Sequence, residues 1–416
     1  MRIPLVIWGC GVKVLVTGLM LVGCISPTLA DEPQWLVDAR SREGKLGELH
    51  AVTSADNQIS FKVPVPLSAA LADEQTLYAA TLQLGPNAIA ACDIFKDDID
   101  VAATLRATAA TTFSTIIEPA QGKIEKKAVE RVDAGAVGAT PFLSVSWVYR
   151  VNDGKGAKLG ALRQYAASEA GHGVYCAMND LGYTKTFDRV VRAVLETLKA
   201  NGDYVAPYYR EVSVASVRGM RLGYASLGLR RDKDGDTEIK ETTVLLVVAE
   251  ADVLRAEDMY HLEWVHPDGS LISGNHINSS NGEVEENLSL KAGENGTWQV
   301  EGRFKGKDVK EDISGATPSS WLTQTKLLRT LLARQRPIGA EASFAQWLSV
   351  DPGHFTESAA KVLTAIDAKT YSVRETAGGT SADLVVDQGT GLVTSGIMQV
   401  GPVGMKIERI YVQGAP

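Results

Sequence analysis

Few residues of this chain stand at spacings that would let them do chemistry together. Of its four cysteines, Cys10 and Cys24 fall within the first thirty residues. The other two, Cys92 and Cys176, sit in strand-like text, Ala88–Phe95 and Gly173–Met178. An even pair in an oxidising compartment favours a disulfide. Two buried thiols on neighbouring strands are the alternative, since buried cysteine is common. The six histidines are His50, His172, His261, His266, His276 and His354. His261 and His276 can approach each other across a hairpin at Pro267-Asp268-Gly269. Zinc needs three or four convergent ligands at short spacings, and no such set occurs. Asp232-Lys233-Asp234-Gly235-Asp236 has the carboxylates that calcium wants, but Gly235 stands in the fourth place and Thr243 in the twelfth. The spacing predicts a solvated turn instead. Ser358-Ala359-Ala360-Lys361 matches S-x-x-K, which works where a helix sets lysine beside serine, but the companion motifs are missing. An envelope hydrolase built from such dispersed pairs, Ser358 with Lys361 or His172 with Asp180, is the alternative reading of function. Gly302–Lys307 is too short for a phosphate-binding loop. No cofactor is expected.

Trp264, Trp298 and Trp347 belong to the second half and are candidates to line an apolar ligand groove. Their other reading, shared with Trp321, is aromatic core between a sheet and a helix.

The elements that must position these residues begin after a leader. Residues 1–13 carry Arg2 and Lys13, and an apolar stretch, Val14–Gly23, follows. That length suits a signal peptide and is short for a membrane span. Two exits are open: cleavage after Ala30, or a lipobox at Leu21-Val22-Gly23-Cys24 with lipidation of Cys24. A retained anchor is the third possibility. The expected location is periplasmic, with an outer-membrane lipoprotein as alternative, and the only expected membrane contact is a lipid on Cys24. The chain holds 42 Lys+Arg against 50 Asp+Glu, a formal charge of −8, and loss of the leader makes it more negative by two. With no basic stripe, nucleic acid is not an expected partner. The 416 residues exceed one ordinary domain, and 45% apolar content is enough for sizeable cores.

Phe187, Val190, Val191, Val194, Leu195 and Leu198 recur at helical period, which predicts a helix over 184–200 capped by Thr184 or Thr186. The chain divides here, into 31–200 and 201–416. Upstream lie a strand ending "FKVPVP", a hairpin around Gly85-Pro86-Asn87, a helix capped by Asp97 or Asp98, and an antiparallel meander through Leu143–Val151 and Leu159–Ala167. This order, with the closing "GVYCAMND…FDRVVRAVLETL", resembles the PsbP/Mog-type α/β/α sandwich. The resemblance implies a non-enzymatic adaptor or assembly role.

Downstream the text is a run of strands with one helix capped by Ser319 or Ser320. "YYREVSVASVRGMRLGYASLGLRRDKDGD" and "LEWVHPDGSLISG" are similar to a curved antiparallel sheet module that precedes transglutaminase-like domains, with a LolA/LolB-like shape. A transglutaminase nucleophile is absent, because no cysteine follows Cys176. The expected fold class is therefore α+β: a small α/β/α sandwich, then a large curved antiparallel sheet with one packed helix. The expected function is a non-catalytic envelope module that binds a protein or an apolar ligand.

Overall fold

A computed structural model describes residues 2–6, 13–17, 33–54, 58–64, 66–70, 74–201, 204–315, 317–349, 351–400 and 403–416. Strands β1 (Arg2–Val6) and β2 (Lys13–Thr17) pair only with each other. Cys24 and Ala30, the two candidate leader exits, lie outside the described residues. The rest forms two compact units. One runs to Val205 and adds Leu246–Ala256; the other holds Ala206–Leu245 and Glu257–Pro416. Both are built mainly of antiparallel strands.

The first unit contains α1 (Gln34–Ser41), β3 (Leu49–Thr53), β4 (Ile59–Pro64), β5 (Pro66–Ala70), β6 (Thr76–Gly85), β7 (Ala88–Phe95), α2 (Val101–Thr112), one π-helical turn (Phe113–Ile117), α3 (Glu118–Gln121), β8 (Lys123–Val137), β9 (Thr140–Asn152), β10 (Ala157–Glu169), β11 (His172–Asn179), α4 (Thr184–Thr197) and β12 (Lys199–Ala200). Its main sheet has the order β5-β6-β7-β11-β10-β9-β8, and a small one has the order β12-β4-β3. Period-2 alternation sends neighbours on β10 to opposite faces. Gln164 bonds Thr108 of α2 and Tyr175, while Tyr165 bonds Asp188 of α4 and stacks edge-on with Phe187. On the α2 side, Phe113 meets Trp147 and Tyr149 edge-on. On the α4 side, Phe187, Val190 and Val194 pack with Ile59, Phe61 and Val63 of β4 and with Leu82 and Ile94. Burying a side chain such as Phe187 fully contributes about 1.5–3 kcal/mol.

Helix α4 begins at Thr184 as the period predicts but ends at Thr197, short of residue 200, because Lys199–Ala200 pair as β12 with β4, and its cap is not the expected one. Tyr183 precedes it in a left-handed conformation (φ 57°), and no side chain of the helix's own entry caps it. Instead Glu43, 142 residues upstream, accepts from the Lys185 and Thr186 N–H groups and from the Thr186 hydroxyl. Orphan N–H groups at a helix start favour a carboxylate there. Burial alone would raise the Glu43 carboxyl, but these bonds bring it below its ordinary value.

The second unit is built on one sheet, of which the Leu246–Ala256 ends of β15 and β16 count with the first unit. It contains β13 (Tyr209–Val217), β14 (Met220–Arg231), β15 (Thr237–Glu250), β16 (Val253–Val265), β17 (Leu271–Ser280), β18 (Glu283–Ala292), β19 (Thr297–Phe304), β20 (Lys307–Ser314), α5 (Trp321–Leu332), β21 (Glu341–Trp347), β22 (Phe355–Ala365), β23 (Thr370–Ala377), β24 (Thr380–Asp387), β25 (Val393–Val400) and β26 (Val403–Gln413). The strand order is β20-β19-β18-β17-β16-β15-β14-β13-β26-β25-β24-β23-β22-β21. Neighbours in the sheet are consecutive in the chain except at the centre, where the first strand, β13, pairs with the last, β26, and the consecutive strands β20 and β21 stand at its opposite ends. The sheet curls on itself: Phe355 of β22 meets Trp298 of β19 edge-on at 6.3 Å, and Trp347 of β21 lies over Gly274 of β17. A side chain at position 274 would press on the Trp347 ring at 3.3 Å, so glycine permits the approach. Helix α5 buries Trp321, Leu328, Leu331 and Leu332. Ser320 caps it, accepting from Thr323 N–H at 3.2 Å.

Candidate functional site

The inner face of the curled sheet carries ionisable side chains among its apolar ones. Tyr209, Leu229, Leu288, Trp298, Trp321 and Trp347 belong to one buried cluster there. His261 and His276 are direct cross-strand partners on β16 and β17, with ring centroids 6.2 Å apart. The hairpin at Pro267–Gly269 produces this register. His261 Nε2 lies 3.2 Å from Glu263 Oε1, two residues along the same face. The other oxygen of Glu263 accepts from Trp321 N–H at 3.0 Å, so one carboxylate joins the histidine to the start of α5. His276 Nε2 stands 3.4 Å from Glu286 Oε2, at ion-pair distance, and both residues are almost wholly buried. The Trp347 ring centroid is 6.3 Å from that of His261, and its indole N–H donates to the Pro352 carbonyl.

Further along the same face Glu211 is buried, accepts from the Tyr209 hydroxyl at 2.6 Å and meets Arg409 at 3.5 Å. Burial raises its carboxyl, and the Tyr209 and Arg409 contacts offset only part of that rise. Glu375 on β23 is buried with no ion pair among the described residues, and burial pushes its carboxyl well above the ordinary range. Imidazole–carboxylate pairs of this kind can hold and orient a proton or a polar group. Among the described residues, no three His, Cys, Asp or Glu side chains converge as metal ligands would.

The residues singled out from sequence fall as follows. Cys92 and Cys176 are register partners on β7 and β11 and lie at disulfide distance. Trp298 and Trp347 share the inner cluster. Trp264 does not join them: it is half-buried, and its neighbours Glu263 and Val265 take the inward positions. Ser358 and Lys361 lie on strand β22 rather than a helix, Ser358 buried and bonded to Gln346, Lys361 exposed. A three-residue offset on a strand sends the two side chains to opposite faces. His172 begins β11 and bonds the Phe95 carbonyl; Asp180 follows its far end and holds Arg42 and the Gly182 N–H. Eight strand residues separate them by about 26 Å at ~3.3 Å per residue. Asp232 closes the expected turn by accepting from the Asp234 and Asp236 N–H groups.

Glu263 and Glu286 escaped the sequence reading. The signal for Glu263 was its offset of two from His261. The signal for Glu286 was Asn281-Gly282, a hairpin turn that places β18 opposite β17.

No family model and no curated protein matches the chain. Among solved structures it is similar to a beta-barrel-like protein of domain of unknown function DUF1849 from Brucella abortus. Identity is 12% over 50% of this chain and 98% of that one, with a TM-score of 0.38. It is also similar to a DUF1089 family protein from Pseudomonas aeruginosa, at 20% identity over 41% of this chain and 87% of that one, with a TM-score of 0.25. Likenesses this distant assign the chain to no family and lend it no function.

Proposed function

We propose that the chain is exported by its leader and works in the periplasm, or on the outer membrane through lipidated Cys24, as a non-catalytic binding and assembly module. Its partner is an envelope protein. The observation that carries this reading is the filled inner face, where Trp298, Trp321 and Trp347 are each about 5% exposed. Aromatics that fill a core leave little room for an apolar ligand, and this favours the protein partner. The reading also draws on the dispersal of Ser358, Lys361, His172 and Asp180, each engaged in local structure or turned away. The Cys92–Cys176 pair supports export, because such bonds persist in oxidising compartments.

The finer architecture belongs to the same reading. Residues 31–200 form an α/β/α sandwich of PsbP/Mog type, supported by α2 and α4 meeting opposite sides of β10. Residues 201–416 form the LolA/LolB-like sheet domain.

Native mass spectrometry of the protein isolated from the envelope tests the proposal. The expected result is a stoichiometric protein adduct, no retained lipid, and no turnover of ester, peptide or glycan substrates. A co-purifying lipid would replace the protein partner with an apolar ligand. Turnover abolished by one substitution would establish the hydrolase.

A further inference from the structure

The sheet of the second unit ends in β20 and β21, and among the described residues no strand pairs with the outer side of β20, whose Glu311 lies against Gly353. Its sequence is Lys307-Asp308-Val309-Lys310-Glu311-Asp312-Ile313-Ser314. Lys307, Asp308, Lys310 and Glu311 are exposed and make no ion pair among the described residues. Free edge strands pair with other strands unless something prevents it. Single charges on an edge usually prevent it, because they meet like or unpaired charges in the partner. The order on β20 does the reverse. When this strand is laid antiparallel to itself about Val309, Lys307 faces Glu311 and Asp308 faces Lys310, each twice by symmetry. Opposite charges directly across a ladder attract.

The neighbouring strand extends the pattern. Arg303 of β19 is the register partner of Asp308, and Glu301 that of Lys310. Across the two-fold, one row reads Arg303, Asp308, then Lys310 and Glu301 of the second copy. The sign alternates at every step. Glu301, Arg303, Asp308 and Lys310 also line an open groove of about 740 Å³ beside this edge. The groove leaves space for a second copy's side chains on the face that carries these rows.

We propose that β20 is a self-pairing edge, joining two copies of this chain through an antiparallel β20–β20 ladder centred on Val309. The contact is isologous and closes as a two-fold dimer. It is independent of the identity of the envelope partner.

Sedimentation equilibrium of the full chain over a range of concentrations tests it, with salt titration. The expected result is a reversible dimer that weakens with salt. Asp308→Lys alone and Lys310→Asp alone should each weaken it on the order of tenfold, since each sets like charges opposite one another twice. The Asp308→Lys/Lys310→Asp double variant should recover part of it, because the swap restores opposite charges across the two-fold while setting like charges against Arg303 and Glu301 of the same copy. Val309→Cys should give a dimer covalent under oxidation, since the two-fold brings that residue against its own copy. Asp308 and Lys310 are exposed, so their reversals should shift thermal melting only slightly, which separates loss of pairing from loss of fold. A monomer at every concentration, or a dimer indifferent to the single reversals, overturns the proposal.

Discussion

The two units manage buried polarity in opposite ways. In the first, polar groups sit where an element ends and needs them: Glu43 takes the start of α4, and Arg163 donates to the Asp180 and Leu181 carbonyls beyond β11. Its interior is mainly apolar, with the fully buried Gln164 held by Thr108 and Tyr175, and it carries a covalent link between β7 and β11. In the second unit the interior itself is charged or titratable, with His276, Glu286, Glu211 and Glu375 all buried. Desolvating such groups costs several kcal/mol each before pairing offsets it. The first unit is therefore organised for stability, while the second retains groups that stability alone would replace.

Breaking that contrast begins where the expected effect is largest. His276→Leu should destabilise the second unit by about 3–5 kcal/mol, because buried Glu286 loses its imidazole partner. The His276→Leu/Glu286→Leu double variant should recover most of that loss. Urea unfolding followed by tryptophan fluorescence measures both, and an unrecovered double variant would mean that the pair is valued for packing rather than charge.

Removing the link of the first unit comes next. Cys92→Ala/Cys176→Ala should cost about 2–4 kcal/mol. Protection of β7 and β11 amides in hydrogen exchange should fall while that of β16 and β17 stays. Equal loss in both units would erase the distinction drawn between them.

Glu375→Met should move stability the other way, by about 1–3 kcal/mol at pH 7, because an imperfectly satisfied buried acid gives way to an apolar chain. The sign with pH follows from its raised value. The folded state holds a proton that the unfolded chain releases. Glu375 thus contributes stability below about pH 4.3, the ordinary glutamate value, and that contribution is lost as pH rises toward the folded value. The advantage of the variant should widen between pH 4.5 and 7.5. A constant gap would show that packing, not ionisation, separates the two proteins.

The smallest effect concerns a cap. Ser320→Ala should cost about 1 kcal/mol, read as a shift in the urea midpoint. Ser320 also donates to the Gly269 carbonyl, so retention of full stability would mean that α5 is held by its tryptophan alone.

The contrast also explains what could be read in advance. Helix α4 announces itself by six apolar residues at one period, and the Pro267–Gly269 turn by its chemistry; both are local signals. Helix α1 has one buried residue, Leu36, and hence little periodicity to detect. The cap by Glu43 and the pairing of β13 with β26 join residues far apart in the chain, and no local pattern encodes either. The inward carboxylates were hidden for a related reason. Glu263 and Glu286 look like solvent-facing charges in an alternating strand until the curl of the sheet turns that face inside.

The β13–β26 ladder has a consequence for how the protein is made. Glu211 and Arg409 meet across 198 residues, so the middle of the sheet lacks a partner until Val403–Gln413 has been synthesised. Each arm can form its hairpins early, but β13 waits with an open edge. Closing such a long loop is slow, and an unpaired strand is exposed to aggregation in the interval. The sheet of the second unit consequently cannot be completed before β26 is available, and until then the nascent chain depends on whatever shields the open side of β13.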